Sequence, residues 1–394
     1  MPNRANPRIP RGVIALGLVS MFMDTSSEMI HSLLPLFLVT VLGVSTITVG
    51  LIEGIAESTA SVTKIFAGVV SDWIGRRKPL VLLGYGMAAL SKPLFPLATG
   101  AVAVFTARFL DRIGKGIRGA PRDALVADLT PEPLRGAAYG LRQSMDTIGA
   151  FAGPALALAF MGLSGNNFRF VFWIAVLPAV ISVAFVVFGV QEPEIHLAGE
   201  KKSFPLQRRE IGRLGPKFWW IVAVGTILTM ARFSEAFLLL RAENTGLPAA
   251  YVPAVMIVMN AVYAASAYPF GHLSDRLNRN SLLAVGIGFL IAADLVLAAA
   301  GATWAVLVGS MLWGLHMGAT QGLLTAVVAA TAPADIRGTA FGIFNLVTGG
   351  TLLLASVLAG FLWAVYGPAV TFLAGAFFST VAMIGVLARH PRGA

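Results

Sequence analysis

Arg108, Asp111, Arg112, Lys115, Arg118 and Arg122 recur at three- or four-residue steps, with Asp123 directly after them. On a helix that spacing makes one charged stripe. A charge at the centre of a membrane-spanning helix costs about 2.5–3.5 kcal/mol on insertion scales. A whole stripe is tolerable only beside water or opposite charge. The matching acids stand on two earlier segments. Asp24, Glu28 and His31 are spaced by four and three, and Glu53 and Glu57 by four, so each set shares a helix face. Lys64, Arg142 and Asp146 add further charge, and the later half carries only Arg232, Glu235, Asp294, His316 and Asn345 at comparable depth.

Two chemistries fit these residues. One is an ion-pair network that ties helices together. The other is a cavity in which a cation holds an anionic group and a deep carboxylate takes up and releases a proton. Glu28 and Glu57 are the coupling candidates, because each is deep and lies one turn from another acid. The candidate set for substrate binding and proton coupling is Asp24, Glu28, His31, Glu53, Glu57, Arg108, Asp111, Arg112, Lys115, Asp146, Arg232, Glu235 and His316. Within the stripe, Arg112 suits a fixed bidentate pair and Lys115 suits binding. No catalytic constellation and no phosphate-cradling glycine loop stands out, so the chain reads as a non-enzyme without ATP drive. The five His residues are dispersed and Cys is absent. A lone His beside carboxylates is weak metal evidence, so neither cofactor nor metal is expected.

The elements that must position these residues follow from composition. Of 394 residues 57% are hydrophobic and 12% charged, about half the charge of a soluble domain. Mean hydropathy is +0.79. Apolar runs of the roughly 20 residues that a span needs recur throughout. Spans are expected near 13–41, 47–71, 79–98, 101–127, 136–162, 169–189, 217–241, 248–271, 281–300, 303–328, 338–363 and 368–388. The first apolar segment is too long for a signal-peptide core and no small-residue cleavage site follows it, so it reads as a retained helix. The net charge of +10 collects in alternate loops, among them Arg76, Arg77, Lys78, Arg135, Lys201, Lys202, Arg276, Arg279 and Arg337. The opposite loops are nearly uncharged, with Arg169, Arg241 and Glu243 at their edges. Basic loops face the cytoplasm. This predicts both termini inside, a multi-pass protein of a bacterial-type inner membrane, and no nucleic-acid role for the basic charge.

An internal repeat divides the chain. Gly68-Val-Val-Ser-Asp72 returns as Gly271-His-Leu-Ser-Asp275, an offset of 203, and Arg135-Gly136 returns within a matching run as Arg337-Gly338, an offset of 202. Two motifs at nearly one offset, on the same membrane side, imply two parallel six-helix halves. The boundaries are 1–190, a cytoplasmic linker over 191–216, and 217–394. The expected fold is an all-α membrane protein, with twelve transmembrane helices in two pseudo-symmetric bundles.

The run Gly68, Asp72, Gly75, Arg76, Arg77 and Lys78 resembles the signature loop of the major facilitator superfamily. The resemblance implies a gating set of Gly68, Asp72, Gly75, Arg76, Asp128, Asp275 and Arg279. In it Asp72 sits by the N-terminus of span 11 and basic partners hold Asp128 at the end of span 4. In the second copy Asn278 replaces the glycine, and asparagine tolerates a left-handed turn. Gly140, Gly149, Gly153 and Pro154 resemble the span 5 motif of the drug:proton antiporter branch, although Ala157 and Leu158 stand where the family has a final glycine pair. Arg108 falls where that branch carries an embedded arginine. The resemblance further implies a central cavity lined by spans 1, 4, 7 and 10. The expected function is secondary active transport by alternating access: proton-coupled export of a small anionic or zwitterionic organic molecule by a monomer in contact with lipid. A proton-coupled importer or uniporter, a lipid flippase, and a non-transporting sensor or assembly factor are the other readings.

Overall fold

The structure is a computed structural model and describes residues 9–74, 76–131, 134–191, 212–274, 277–331 and 336–388. Among the described residues every regular element is helical. Twelve membrane-length rods cross side by side. They are α1 (Arg11–His31, continued to Val41), α2 (Thr46–Ile74), α3 (Lys78–Ser91, continued to Leu97), α4 (Ala101–Leu129), α5 (Arg135–Leu163) and α6 (Phe168–Gly189), then α7 (Pro216–Ala231, continued over Ala236–Asn244), α8 (Pro253–Ser274), α9 (Arg279–Ala299), α10 (Thr303–Thr331), α11 (Arg337–Tyr366) and α12 (Pro368–Ala388). Nine of them are long and apolar enough to cross a membrane on composition. The three that are not, α2, α4 and α10, have the same length. Two of these carry the charged stripes, and the third carries His316 and Gln321. The expected linker lies largely outside the described residues.

Both leading helices are broken at matching places. In α1 the break falls at Ser32–Leu33, because Pro35 has no N–H to give and its ring clashes with the preceding turn. In α7 it falls at Arg232–Glu235, where Arg232 leaves helical geometry at ψ 56°. There the Ser234 amide donates to Ser356 Oγ at 3.3 Å, and the Ala236 amide donates to Ser234 Oγ at 3.2 Å. Broken spans of this kind face a site near mid-membrane in transporters of repeated architecture.

The turns at the uncharged-loop end carry the repeat too. Gly43 and Gly246, 203 residues apart, both take positive φ, which only glycine adopts at no steric cost. The arginines at that end are structural. Arg241 donates to the carbonyls of Leu297, Ala298 and Ala300, closing the C-terminus of α9. Arg169 donates to the Pro96 and Ala98 carbonyls at the end of α3. Both satisfy orphan carbonyls and meet the negative end of a helix dipole. Asn278 corrects an expectation: its φ is −61°, and it caps α9 by accepting from the Asn280 amide at 2.9 Å. The asparagine works as an N-cap, not as a left-handed turn.

The halves meet along α2 and α11, and the seam is tight at one end. A methyl group built on Gly50 would overlap the Ser356 carbonyl. One on Gly54 would sit 3.0 Å from Leu353 Cα, and one on Gly349 would sit 2.9 Å from Ser61 Cβ. At Gly342, nearer the basic-loop end, the nearest atom is Ile65 Cγ2 at 3.9 Å. The second half of α1 packs on the second half of α7 at the uncharged-loop end. The structure is therefore closed at the uncharged-loop end and widens toward the basic-loop end.

Candidate functional site

Where the seam widens, a cavity of about 500 Å³ lies between the halves. It is lined by Glu28, His31 and Pro35 of α1, Glu53, Glu57 and Ser61 of α2, and Arg108, Arg112 and Lys115 of α4. Opposite stand Thr229, Leu239 and the residues from Arg232 to Ala236 at the α7 break, Met256 of α8, Gln321 of α10 and Thr348, Gly349 and Leu352 of α11. The lining thus draws on α2, α8 and α11 as well as on the expected α1, α4 and α7, and, among the described residues of α10, on Gln321. A second compartment of about 430 Å³ adjoins it toward the basic-loop end. Glu28, Glu57, Ser61 and Lys115 line both.

The stripe on α4 divides into closed and open members. Arg108 is 3% exposed and grips Glu53 with both arms, Nε to Oε1 at 3.1 Å and Nη2 to Oε2 at 2.6 Å. That bidentate geometry is the strong form of the pair. Glu57 sits between Arg108 Nη2 at 3.4 Å and Arg112 Nη1 at 3.2 Å. Arg112 also donates to the ring of His31, 2.9 Å from Nδ1. Lys115, one turn on, is exposed to both compartments and has no carboxylate within 4.0 Å among the described residues. Arg118 stacks on the Tyr85 ring at 4.5 Å and reaches Asp24 Oδ1 only at 4.0 Å. Arg122 bonds Ser20 Oγ at 2.9 Å, and Arg142 holds Asp146 at 2.7 Å.

Three expectations are corrected. His316 does not face the cavity. It is fully buried, with Nδ1 on the Gly286 carbonyl of α9 at 2.8 Å, because α10 turns that face toward its own bundle. Asp111 lies behind the stripe, 2% exposed, where Lys92 Nζ reaches its Oδ1 at 2.8 Å and also donates to Ser27 Oγ. Among the described residues the guanidinium on Asp128 is that of Arg77, which also reaches Ser71 Oγ, whereas Arg76 is exposed. Gly68 packs near Ala120 of α4. Gly75 and Asp275, and the side chains of Asp72 and Arg279, lie outside the described residues.

Lys92 is the residue that sequence reasoning missed. It is 1% exposed, and its signal was a lysine directly before a proline at the end of an apolar run. Arg232 and Glu235 stand on the cavity wall at the α7 break without an ion pair between them within 4.0 Å. The span 5 glycines have a direct structural use. A methyl on Gly149 would lie 3.0 Å from Asp24 Cβ, and one on Gly153 would lie 2.6 Å from Glu28 Cβ. These glycines bring α5 against α1 at the two acids. No cluster of His, Cys, Asp and Glu among the described residues could hold a metal ion.

A twelve-helix pair of bundles with broken leading helices around a charged central cavity is a transporter architecture. The sequence profile of the Major Facilitator Superfamily matches residues 16–349 and 236–394. The chain belongs to the major facilitator superfamily. It is 32% identical over 386 residues to the uncharacterised MFS-type transporter MJ1317 of Methanocaldococcus jannaschii, covering 96% of this chain and 95% of that one. It is 24% identical to the inner membrane transport protein YajR of Escherichia coli, over 96% of this chain and 83% of that protein. The crystal structure of the nucleoside transporter NupG superposes with a TM-score of 0.77 at 14% identity, over 97% of this chain and 99% of that chain. Membership of this family makes the chain a multi-pass membrane transporter of small molecules.

Proposed function

We propose that this chain is a proton-coupled exporter of the inner membrane whose cargo is a small zwitterionic organic molecule. The observation that carries the reading is Lys115, a cation open to the cavity with no carboxylate within 4.0 Å among the described residues, beside arginines already closed by Glu53 and Glu57. It is a cation free to take the cargo's anionic group, and Arg232 on the opposite wall likewise has no carboxylate within 4.0 Å among the described residues. Glu235, on the opposite wall, is the matching place for an ammonium. Glu28 is the favoured proton carrier. Glu57 is shared by two arginines, whereas the nearest charge partner of Glu28 is His31 at 3.7 Å. With the basic loops in the cytoplasm, the cavity is open inward and ready to load cargo for export. Asp72, Asp275 and their basic neighbours would serve the cycling between states.

Linkage sets the direction of coupling. An ammonium and a proton compete for one carboxylate, so a zwitterion that uses Glu28 or Glu235 exchanges against protons. A plain anion gains from protonation of the same acids, because the site becomes more positive, and would travel with the proton. The second reading, proton-coupled uptake of an organic anion, is therefore favoured by Lys115 standing in the same cavity as Glu28 and Glu57. Purified protein in proteoliposomes with an imposed pH gradient separates the two, using labelled amino-acid-like zwitterions beside simple organic carboxylates. Accumulation of the zwitterions against an opposing proton flow supports export. Accumulation of carboxylates together with protons replaces it by uptake. Equal rates with and without the gradient for every compound would remove proton coupling altogether.

A further inference from the structure

The compartment nearer the basic-loop end has its own loosely held cations. Arg118 is 4% exposed and lines this compartment, yet its Nη1 has no hydrogen-bond partner. Its nearest carboxylate oxygen, on Asp24, stands at 4.0 Å, too far for a hydrogen bond. What fixes the guanidinium is the Tyr85 ring on its other side, 4.5 Å away, a cation–π contact that leaves the N–H groups unspent. Arg108, Arg112 and Arg142 each also carry one nitrogen without an acceptor, but each of those holds a carboxylate within 3.2 Å, whereas Arg118 holds none closer than 4.0 Å. From α2, Lys64 lines the same space. Its stem lies over Gly119 of α4, 3.5 to 3.6 Å from where a Cβ would stand, and its amine has no carboxylate within 4.0 Å among the described residues. Lys115 closes the inner side.

The acids of this compartment do not answer these three cations. Asp146 is held through Oδ2 by Arg142 at 2.7 Å and faces Arg122, a fourth cation of this lining, through Oδ1 at 3.9 Å; Arg122 itself pairs with Asp123 at 3.2 Å, and Glu57 is held by Arg108 and Arg112. Asp24 and Glu28 remain, held at 4.0 Å by Arg118 and at 3.7 Å by His31. Three loosely held cations thus face two loosely held acids. The rest of the lining is polar or small, including Ser61, Gln143, Thr147, Asn260 and Tyr263. Among the described residues of the lining none is a large aliphatic one, so the compartment itself offers no seat for an acyl chain.

We infer that this compartment is a second anion subsite, in which Arg118 and Lys64 bind a soluble oxyanion group, a carboxylate or a phosphate, on its way past Lys115. The inference rests on the transport reading above and adds to it a two-station path. The anionic group rests first on Lys64 and Arg118 and is then handed to Lys115, which belongs to both compartments. A cargo long enough to bridge them would carry two anionic groups, one for each station.

The test uses the full-length protein in neutral detergent, with inorganic sulfate as the probe against chloride at matched ionic strength, read by thermal shift and by titration calorimetry. Saturable stabilisation by sulfate is expected. Lys64→Ala, at an exposed position, should fold normally and weaken sulfate about tenfold or more, the scale of a hydrogen bond to a charged group. Arg118→Lys keeps the charge and should weaken it similarly by losing the fixed N–H. Sulfate affinity that depends on Lys115 but is unchanged in Lys64→Ala and Arg118→Lys overturns the second subsite and leaves the proposed export untouched. Sulfate binding that depends on Lys64 and Arg118, in a protein that transports none of the labelled compounds, supports the subsite while the export reading fails. Stabilisation by short-chain phosphatidylglycerol with none by sulfate assigns the cations to lipid and overturns the inference.

Discussion

Arg112 and Lys115 lie one turn apart on α4, and the structure separates their roles enough to predict opposite phenotypes. Arg112 is 2% exposed and is bound to Glu57 at 3.2 Å and to the His31 ring. Removing one partner of a buried pair costs about 3–5 kcal/mol. Here the cost should fall near 3 kcal/mol, because Glu57 keeps Arg108 at 3.4 Å and is itself about a third exposed. Against a total stability of about 5–15 kcal/mol, Arg112→Ala should express poorly and melt early. Arg112→Ala combined with Glu57→Gln should recover, since the stranded charge is gone. Lys115 is exposed to the cavity and pairs with nothing within 4.0 Å among the described residues. Lys115→Ala should keep wild-type melting within about 0.5 kcal/mol. What it loses is a charged hydrogen bond to the cargo, about 1.5–3 kcal/mol, which is roughly 10- to 150-fold in affinity. Fluorescence size-exclusion and melting curves read the first effect, and substrate-dependent thermal shift reads the second. A stable Lys115→Ala protein with unchanged affinity for every anionic and zwitterionic compound would refute the argument. So would an Arg112→Ala protein as stable as wild type.

Other outcomes follow from the same geometry. Lys92→Ala should destabilise the protein by about 3–5 kcal/mol by stranding Asp111, and Lys92→Met with Asp111→Leu should restore the melting temperature; a single variant that melts like wild type contradicts the pairing. Glu28→Gln should abolish gradient-driven accumulation and spare downhill exchange, and retained accumulation would move the proton to Glu57 or Glu235. If an ammonium competes with a proton at Glu28, the affinity for a zwitterion should fall as pH falls, by at most tenfold per pH unit for one proton; affinity that rises on acidification would instead indicate cotransport. Gly153→Val should push α5 away from Glu28 and Thr25 and slow transport in a protein that still reaches the membrane, which a transport assay normalised to surface expression checks.

Much of the architecture was legible because lipid imposes a narrow set of solutions. Long apolar runs, the basic loops and the repeat at Asp72 and Asp275 lead to twelve helices in two bundles. The charged stripe and its acids on α1 and α2 were also readable, since helical periodicity alone puts Arg108, Arg112 and Lys115 on one face. Which of them is closed was not readable. That depends on the relative heights of α2 and α4, which bring Glu53 to Arg108 and Glu57 between two arginines. His316 was misplaced because α10 carries apolar and small residues on all sides, so no face of it announces the cavity. Lys92 was missed because its partner Asp111 is on the next helix, across a turn.

The failure of α2 and α4 to qualify as spans on composition bears on how the protein is made. With Arg108, Asp111, Arg112, Lys115 and Arg118 along α4, each charge costing about 2.5–3.5 kcal/mol when inserted alone, this helix cannot leave the insertion machinery for lipid by itself. Its acceptable neighbours are already synthesised by then: Glu53 and Glu57 on α2, and Lys92 at the end of α3. The first four helices should therefore be held back and released into the bilayer together, an expected outcome that site-specific crosslinking of stalled nascent chains to the insertion machinery would check. The later half, with far fewer embedded charges, can enter one helix at a time. Mutations that break the N-terminal pairs should accordingly appear as wrongly threaded chains removed by membrane proteases, before any folded protein exists to be destabilised.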